Sequence, residues 1–241
     1  MSRKRSITQV ETADIEATVQ KLAELLADEV ASIPATEPAE KHTERIAKAA
    51  RTHFEAIASE GPQGFACKKG CSYCCAIEAF ARPVEIFSVA RFVRLAAQHR
   101  MLGNIDTFTA KLRRVYGEDP EERYRKRKEC PFLFDGGCAV YAVRPLMCRF
   151  FVSRDPDRCI RFSQGSEDDV RYEQIRVIAV VACGRGLSAS LGAKGILDGS
   201  YSLVGGVAKV LRVPDLEARW LRGEDVFADV RMDKGGNTQE G

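Results

Sequence analysis

Histidine is scarce in this chain, with three among 241 residues, and tryptophan occurs once. No set of histidines and carboxylates is spaced as an open catalytic zinc site requires, with protein ligands leaving a position for water. His42, His53 and His99 fall on expected helices away from the cysteines, where a surface or half-buried helix position accounts for each. An excess of one charge is also missing. The 37 basic and 34 acidic residues leave a net charge of +3, which gives no global argument for nucleic acid or for an anionic membrane. No apolar run approaches the roughly 20 residues that cross a bilayer. The start, Met1-Ser-Arg-Lys-Arg-Ser-Ile7, is basic but lacks the apolar block and small-residue cleavage site of a secretory signal. A soluble, cytoplasmic protein with no membrane partner is the expectation.

Cysteine, by contrast, is abundant. Four of the nine fall in the stretch Cys67-Lys-Lys-Gly-Cys71-Ser-Tyr-Cys74-Cys75; Cys130, Cys138, Cys148 and Cys159 follow, and Cys183 stands apart. A reducing compartment and an odd count argue against a disulfide framework. Dense thiolates are soft, electron-donating ligands, suited to zinc or iron–sulfur clusters and poorly suited to hard cations. Gly70 allows a tight turn ahead of Cys71. Cys71 and Cys74, with two residues between them, can serve one metal or cluster, and Cys67 can reach the same site. Cys74 and Cys75 are adjacent, and adjacent side chains diverge in a regular backbone. Cys75 therefore serves a second site, a second iron of the same cluster, or packing. The distal four are separated by seven, nine and ten residues, as loop-borne ligands brought back by tertiary folding. Eight thiolates at such uneven spacing do not divide cleanly into paired zinc knuckles. An iron–sulfur cluster, of the [4Fe–4S] type, is thus expected ahead of zinc, held by Cys67, Cys71, Cys74, Cys75, Cys130, Cys138, Cys148 and Cys159. Four thiolates on a zinc ion or a [4Fe–4S] cluster leave about −2 to be compensated. Lys68, Lys69, Arg82, Arg144, Arg149, Arg154, Arg158 and Arg161 lie near cysteines in sequence. Cys183, on an apolar helix, reads as a small hydrophobe.

Around this region the pattern is helical. Apolar residues from Val10 to Val30 recur at helical spacing within Ile7–Val30, and a second amphipathic helix is expected over Ala39–Ser59, closed by Gly61-Pro62. Pro83 opens a helix reaching about Arg100. Asn104 or Asp106 can cap another through Val115, and Gly117-Glu-Asp-Pro120 breaks it. The basic run Arg123-Tyr-Arg-Lys-Arg-Lys128 is short and carries a single aromatic, so a solvated helix face explains it better than nucleic acid. Residues 130–159 are irregular, with a hairpin signal at Asp135-Gly136-Gly137, and a metal would supply the folding energy such a segment lacks. Ser166 is the expected cap of an apolar helix running to Leu191; a helix within Ser200–Leu211 and a short one after Pro214 holding Trp220 follow. The fold class expected is mainly α, with helices surrounding an irregular cysteine-rich core and at most a short hairpin. Residues 1–35 form an N-terminal amphipathic helix, 36–230 a single helical domain containing the cysteine region 63–160, and 231–241 a tail.

Read together, Phe-Ala-Cys67-Lys-Lys-Gly-Cys71-Ser-Tyr-Cys74-Cys75, Cys130-Pro-Phe-Leu, Gly-Gly-Cys138-Ala-Val-Tyr141-Ala-Val-Arg-Pro-Leu-Met-Cys148-Arg-Phe-Phe and Cys159 resemble the CxxCxxCC, or YkgJ-type, cysteine-cluster family. Its first spacing, Cys67-x3-Cys71, is longer than in many members. The resemblance implies zinc or iron chelation and brings no assigned reaction. Flagellin lysine N-methylases look similar in cysteine pattern, which implies S-adenosylmethionine-dependent methyl transfer as an alternative. Cys67-x3-Cys71-x2-Cys74 is also similar to the radical S-adenosylmethionine signature, but that fold needs repeated β–α units, which this pattern does not offer. The leading expectation is a metal-binding protein with a redox, electron-transfer or metal-handling role and no assigned enzyme activity. The third reading is a structural zinc module whose N-terminal helix engages a protein partner.

Overall fold

The computed structural model describes residues 12–34, 36–68, 70–98, 110–112, 114, 118, 120–134, 136–166 and 173–232. Nearly all of its regular structure is helical, as expected. Helices α1 (Thr12–Ser32), α2 (Ala39–Ser59) and α3 (Pro83–Gln98) precede the irregular centre. Three short ones, α4 (Pro120–Arg125), α5 (Leu146–Phe150) and α6 (Pro156–Ser163), lie within it. Helices α7 (Gln174–Gly192), α8 (Leu203–Arg212) and α9 (Leu216–Leu221) follow. Two-residue strands β1 (Phe80–Ala81) and β4 (Tyr201–Ser202) pair antiparallel, as do β2 (Leu133–Phe134) and β3 (Gly137–Cys138), the expected hairpin.

The scaffold is built on α7. This helix is apolar on more than one side, and it buries Ile178, Ala179, Ala182, Cys183, Leu187 and Leu191 while Val177 and Val181 stay exposed. Helix α1 packs along it, α2 packs on both α7 and α3, and α3 packs against α8. Gly186 lets α1 approach closely, since a Cβ there would stand 2.6 Å from the Ala23 carbonyl oxygen. Gly206 in α8 makes similar room for Ile86. Among the described residues α7 is the one helix long and apolar enough to cross a membrane, and half of that stretch is buried in the protein. The rings of Trp220, Phe87, Phe227 and Tyr201 form a chain in the core, each consecutive contact at 5.4–5.5 Å between centroids.

Several boundaries differ from expectation. The helix expected from Ser166 begins instead at Gln174, after an extended Glu173 that makes no side-chain cap. Residues 1–11, 99–109 and 233–241 lie outside the described residues, and with them Ile7, Val10, His99 and the expected caps at Asn104 and Asp106; Leu112 is buried in the core. The basic run is not uniformly solvated. Arg123 is buried, its Nε donating to Glu78 Oε2 at 2.8 Å and its Nη1 to Glu118 Oε2 at 2.7 Å. Ser202 donates its hydroxyl to the other oxygen of Glu78 at 2.8 Å. This buried pair joins the chain just before β1, the end of β4 and α4, and so frames one side of the cysteine region.

Candidate metal centre

The cysteine stretch enters through a left-handed turn. Gly70 has φ +93°, a conformation open to glycine and costly for other residues, and the Cys71 amide closes the turn on Lys68 O at 3.0 Å. A 3-10 turn over Tyr73–Ala76 then presents Cys74 and Cys75. The Cys130 amide donates to Cys75 O at 2.7 Å, which docks the second cysteine block on the first. The β2–β3 hairpin places Cys138 opposite Leu133.

Cys148 is delivered by α5, and one carboxylate sets that helix. Buried Glu85 accepts the Leu146 amide at 2.7 Å through Oε1 and the Arg82 amide at 2.9 Å through Oε2. It thus satisfies first-turn donors of both α3 and α5, donors that a helix start otherwise leaves unpaired. Burial raises the Glu85 pKa above the ordinary carboxylate range. Cys159 sits on α6, whose start is capped by Asp155 accepting the Arg158 amide at 3.1 Å. Helix α6 packs against the 3-10 turn that carries Cys74 and Cys75. Cys67 is tied from the other side: Ala66 donates to Ser153 O at 2.9 Å, and the Ser153 amide points at Cys67 Sγ from 3.2 Å.

All nine cysteines are free thiols. Eight of them surround two adjoining cavities. The larger, about 60 Å³, is lined by Cys71, Cys74, Cys75, Cys130, Cys138 and Cys148. The smaller, about 30 Å³, is lined by Cys67, Cys71, Cys74 and Cys159. Phe151 and Ile77 line both. Cys183 is elsewhere, buried in α7 with its thiol 3.6 Å from Ala50 O, in keeping with packing. His42 Nδ1 lies 3.0 Å from Pro34 O and His53 Nε2 lies 2.6 Å from Glu29 Oε2, and neither lines a thiol cavity. Among the described residues no three cysteine, histidine or carboxylate side chains already stand in an arrangement that holds a single ion.

The thiols differ in charge preference. The Cys75 thiol donates to Cys74 and the Arg144 charge lies nearby, and together they hold Cys74 at about 7. The same hydrogen bond and burial push Cys75 up. Burial raises Cys130 to about 12, and raises Cys138 and Cys148 as well. Of the cations expected to compensate thiolate charge, Arg144 lines the larger cavity. Its guanidinium carbon lies 4.1 Å from the centre of the Tyr141 ring, and its Nε is buried without a hydrogen-bond partner. Arg82 instead pairs with Asp198 and Ser188, and Arg149 with Glu55 and the carbonyls of Ala142 and Arg144. Lys69 lies outside the described residues. Sequence reasoning missed the bridging carboxylate of Glu85 and the Ser153 amide. Glu85 had a signal, since an acid three residues after a helix cap is half of a capping box; a backbone amide has none.

The donor set fits a soft metal: among the described residues the cavities are lined by eight thiols and no imidazole, beside Arg144, whose buried Nε has no hydrogen-bond partner. A helical scaffold around such a centre defines a cysteine-ligated metal-binding protein. More narrowly, residues 66–169, which contain all eight of these cysteines, match the model of the CxxCxxCC family, described as "Putative zinc- or iron-chelating domain". Neither curated proteins nor solved structures gave a match.

Proposed function

We propose that this protein is a cytoplasmic iron–sulfur protein, with a [4Fe–4S]-type cluster in the larger cavity and a role in electron transfer, redox sensing or metal handling. One observation carries the reading. Six thiols and the unpaired Nε of Arg144 surround a single cavity whose other walls include Ile77, Phe132, Val140 and Leu203. Six thiols around one cavity exceed the four that a tetrahedral ion takes, and so suit a group of several atoms better than one ion. Cys75, Cys130, Cys138 and Cys148 are the residues that would hold it, and when bound such a cluster takes up and releases single electrons. Its potential is set by net charge, hydrogen bonds to sulfur and solvent exposure, and Arg144 with the apolar walls supplies two of these. A reducing compartment keeps the thiols available.

The methyl-transfer alternative has less support. Gly205 and Gly206, which a cofactor loop would need to expose, lie inside α8 and pack against Val230 and Ile86. Anaerobic reconstitution of the full chain with ferrous iron and sulfide tests the proposal. The expected product is brown, with broad visible absorption and iron and sulfide in equal amounts. Colourless protein that takes up zinc stoichiometrically and no sulfide would replace the cluster with zinc.

A further inference from the structure

Between them the two cavities take in all eight thiols, with Cys71 and Cys74 lining both. We infer that the region contains two separate metal centres: an inner one on Cys75, Cys130, Cys138 and Cys148, and an outer one on Cys67, Cys71, Cys74 and Cys159 that takes a single soft divalent ion of the zinc kind. The inference rests on the metal-binding reading above and deepens it.

The outer four are the complete thiol lining of the smaller cavity. They are also electrically one group: the thiols close enough to bear on Cys67 are Cys71, Cys74 and Cys159. Cys130 and Cys138 bear on both Cys75 and Cys148, as Cys74 also does from its place at the boundary of the two cavities. Cys71 and Cys74 line both cavities, and chain geometry assigns them. A two-residue spacer lets both reach one tetrahedral ion. Cys75 lines the inner cavity alone, whereas Cys74, hydrogen-bonded to it, also lines the outer one, where the two-residue spacing places it with Cys71. The wall between the centres is apolar, built from Phe151 and Ile77.

The outer site is also a built one. The Ser153 amide is directed at Cys67 Sγ, the kind of N–H···S contact that stabilises a metal-bound thiolate. The cap at Asp155 fixes the helix that carries Cys159. Cys67 and Cys74 are exposed, so their side chains can turn onto an entering ion, and the ion can leave by the same route. The outer centre is therefore the exchangeable one. Without an ion Cys67 and Cys74 are open to solvent, whereas the four inner thiols, like Cys71 and Cys159, are part-buried.

The test uses the full chain, reconstituted anaerobically with iron and sulfide and then titrated with Zn(II) or, as a coloured substitute, Co(II). Metal and sulfide per chain and the visible spectrum are measured for wild type, for C67S/C159S and for C130S/C148S. The expected wild type holds a cluster and one further divalent ion. C67S/C159S should keep the cluster absorption and lose the tetrahedral cobalt–thiolate bands, with its zinc content falling by one equivalent. C130S/C148S should lose the cluster and keep one cobalt. Unchanged metal content in C67S/C159S, or loss of all metal from it, overturns the division. If C130S/C148S does not fold, C67S/C159S decides alone. Two zinc ions per chain falling to one in C67S/C159S would uphold the division and overturn the iron–sulfur reading. A wild type that takes up no metal would overturn both.

Discussion

Two adjacent cysteines, Cys74 and Cys75, are placed in unlike charge states by one hydrogen bond. Cys75 keeps its proton and donates it, so Cys74 carries the thiolate with a pKa of about 7, while burial holds Cys130 at about 12. The thiolate is the reactive form. In metal-stripped protein, iodoacetamide at neutral pH should label Cys74 well ahead of Cys130. Because its pKa is lowered, labelling of Cys74 should reach half its limiting rate near pH 7 and level off about one unit above it, whereas Cys130 stays unlabelled until strongly alkaline conditions. Cys75→Ala removes the donor and should slow Cys74 labelling at pH 7 by about tenfold, as the thiolate fraction falls from about half to a few per cent. Arg144→Met should slow it less, because the charge is the smaller cause. Peptide mapping by mass spectrometry reads each site, and an unaltered rate in Cys75→Ala would contradict the assignment. The sequence spacing picked out the eight thiols that line the two cavities, but it read Cys74 and Cys75 as diverging, whereas the 3-10 turn keeps their thiols in hydrogen-bond contact. It did not say which thiol faces which cavity, because that depends on a 3-10 turn only four residues long.

At the scale of elements, what was legible was what local chemistry punctuates. Helix α2 runs Ala39–Ser59 as expected because Pro38 stands at its start and Gly61-Pro62 lies beyond its end. Helix α7 starts at Gln174 because no capping residue marks it; its place is set by packing on α1 and α2. Pairing of β1 with β4 joins residues more than a hundred positions apart, and two-residue strands leave no alternation to read. The burial of Arg123 was hidden for the same reason, since its partner Glu78 lies 45 positions earlier. With side-chain exposures of 5% and 3%, this pair behaves as a buried one. Removing one partner strands the other charge away from water, at a cost of roughly 3–5 kcal/mol, whereas replacing both with apolar groups is often near neutral. Arg123→Met should therefore lower the urea midpoint sharply, and R123M/E78L should recover most of the loss. The neighbouring exposed pair of Lys126 with Glu122 is the control: Lys126→Ala should leave the midpoint unchanged. Equal effects from both single variants would show that Arg123 is solvated after all.

At the scale of the molecule, the chain separates apolar packing from thiol chemistry. The core draws on α1, α2, α3, α7, α8 and α9, while residues 130–163 add only Phe132, Val140 and Leu146 to the continuous cluster, beside partly buried side chains packed against it. That segment holds four of the eight site thiols on a two-residue-strand hairpin and two short helices. Its order therefore depends on the site more than the core does. A ligand that binds only the folded form adds stability as RT ln(1 + [L]/Kd), about 2.7 kcal/mol at a hundredfold excess over Kd. The metal should supply that energy mainly here. Stripping the metal with a chelator should raise amide hydrogen exchange across 66–77 and 130–163. Exchange in α1, α2 and α7 should stay slow, and far-UV circular dichroism should remain mostly helical. Adding metal back should restore protection in the same two stretches. Uniform loss of protection, with collapse of the helical signal, would mean that the metal holds the whole fold, the behaviour of a structural zinc module. The core argues against that outcome: Phe87, Trp220, Phe227 and Tyr201 are buried among one another, and none of them lines either thiol cavity.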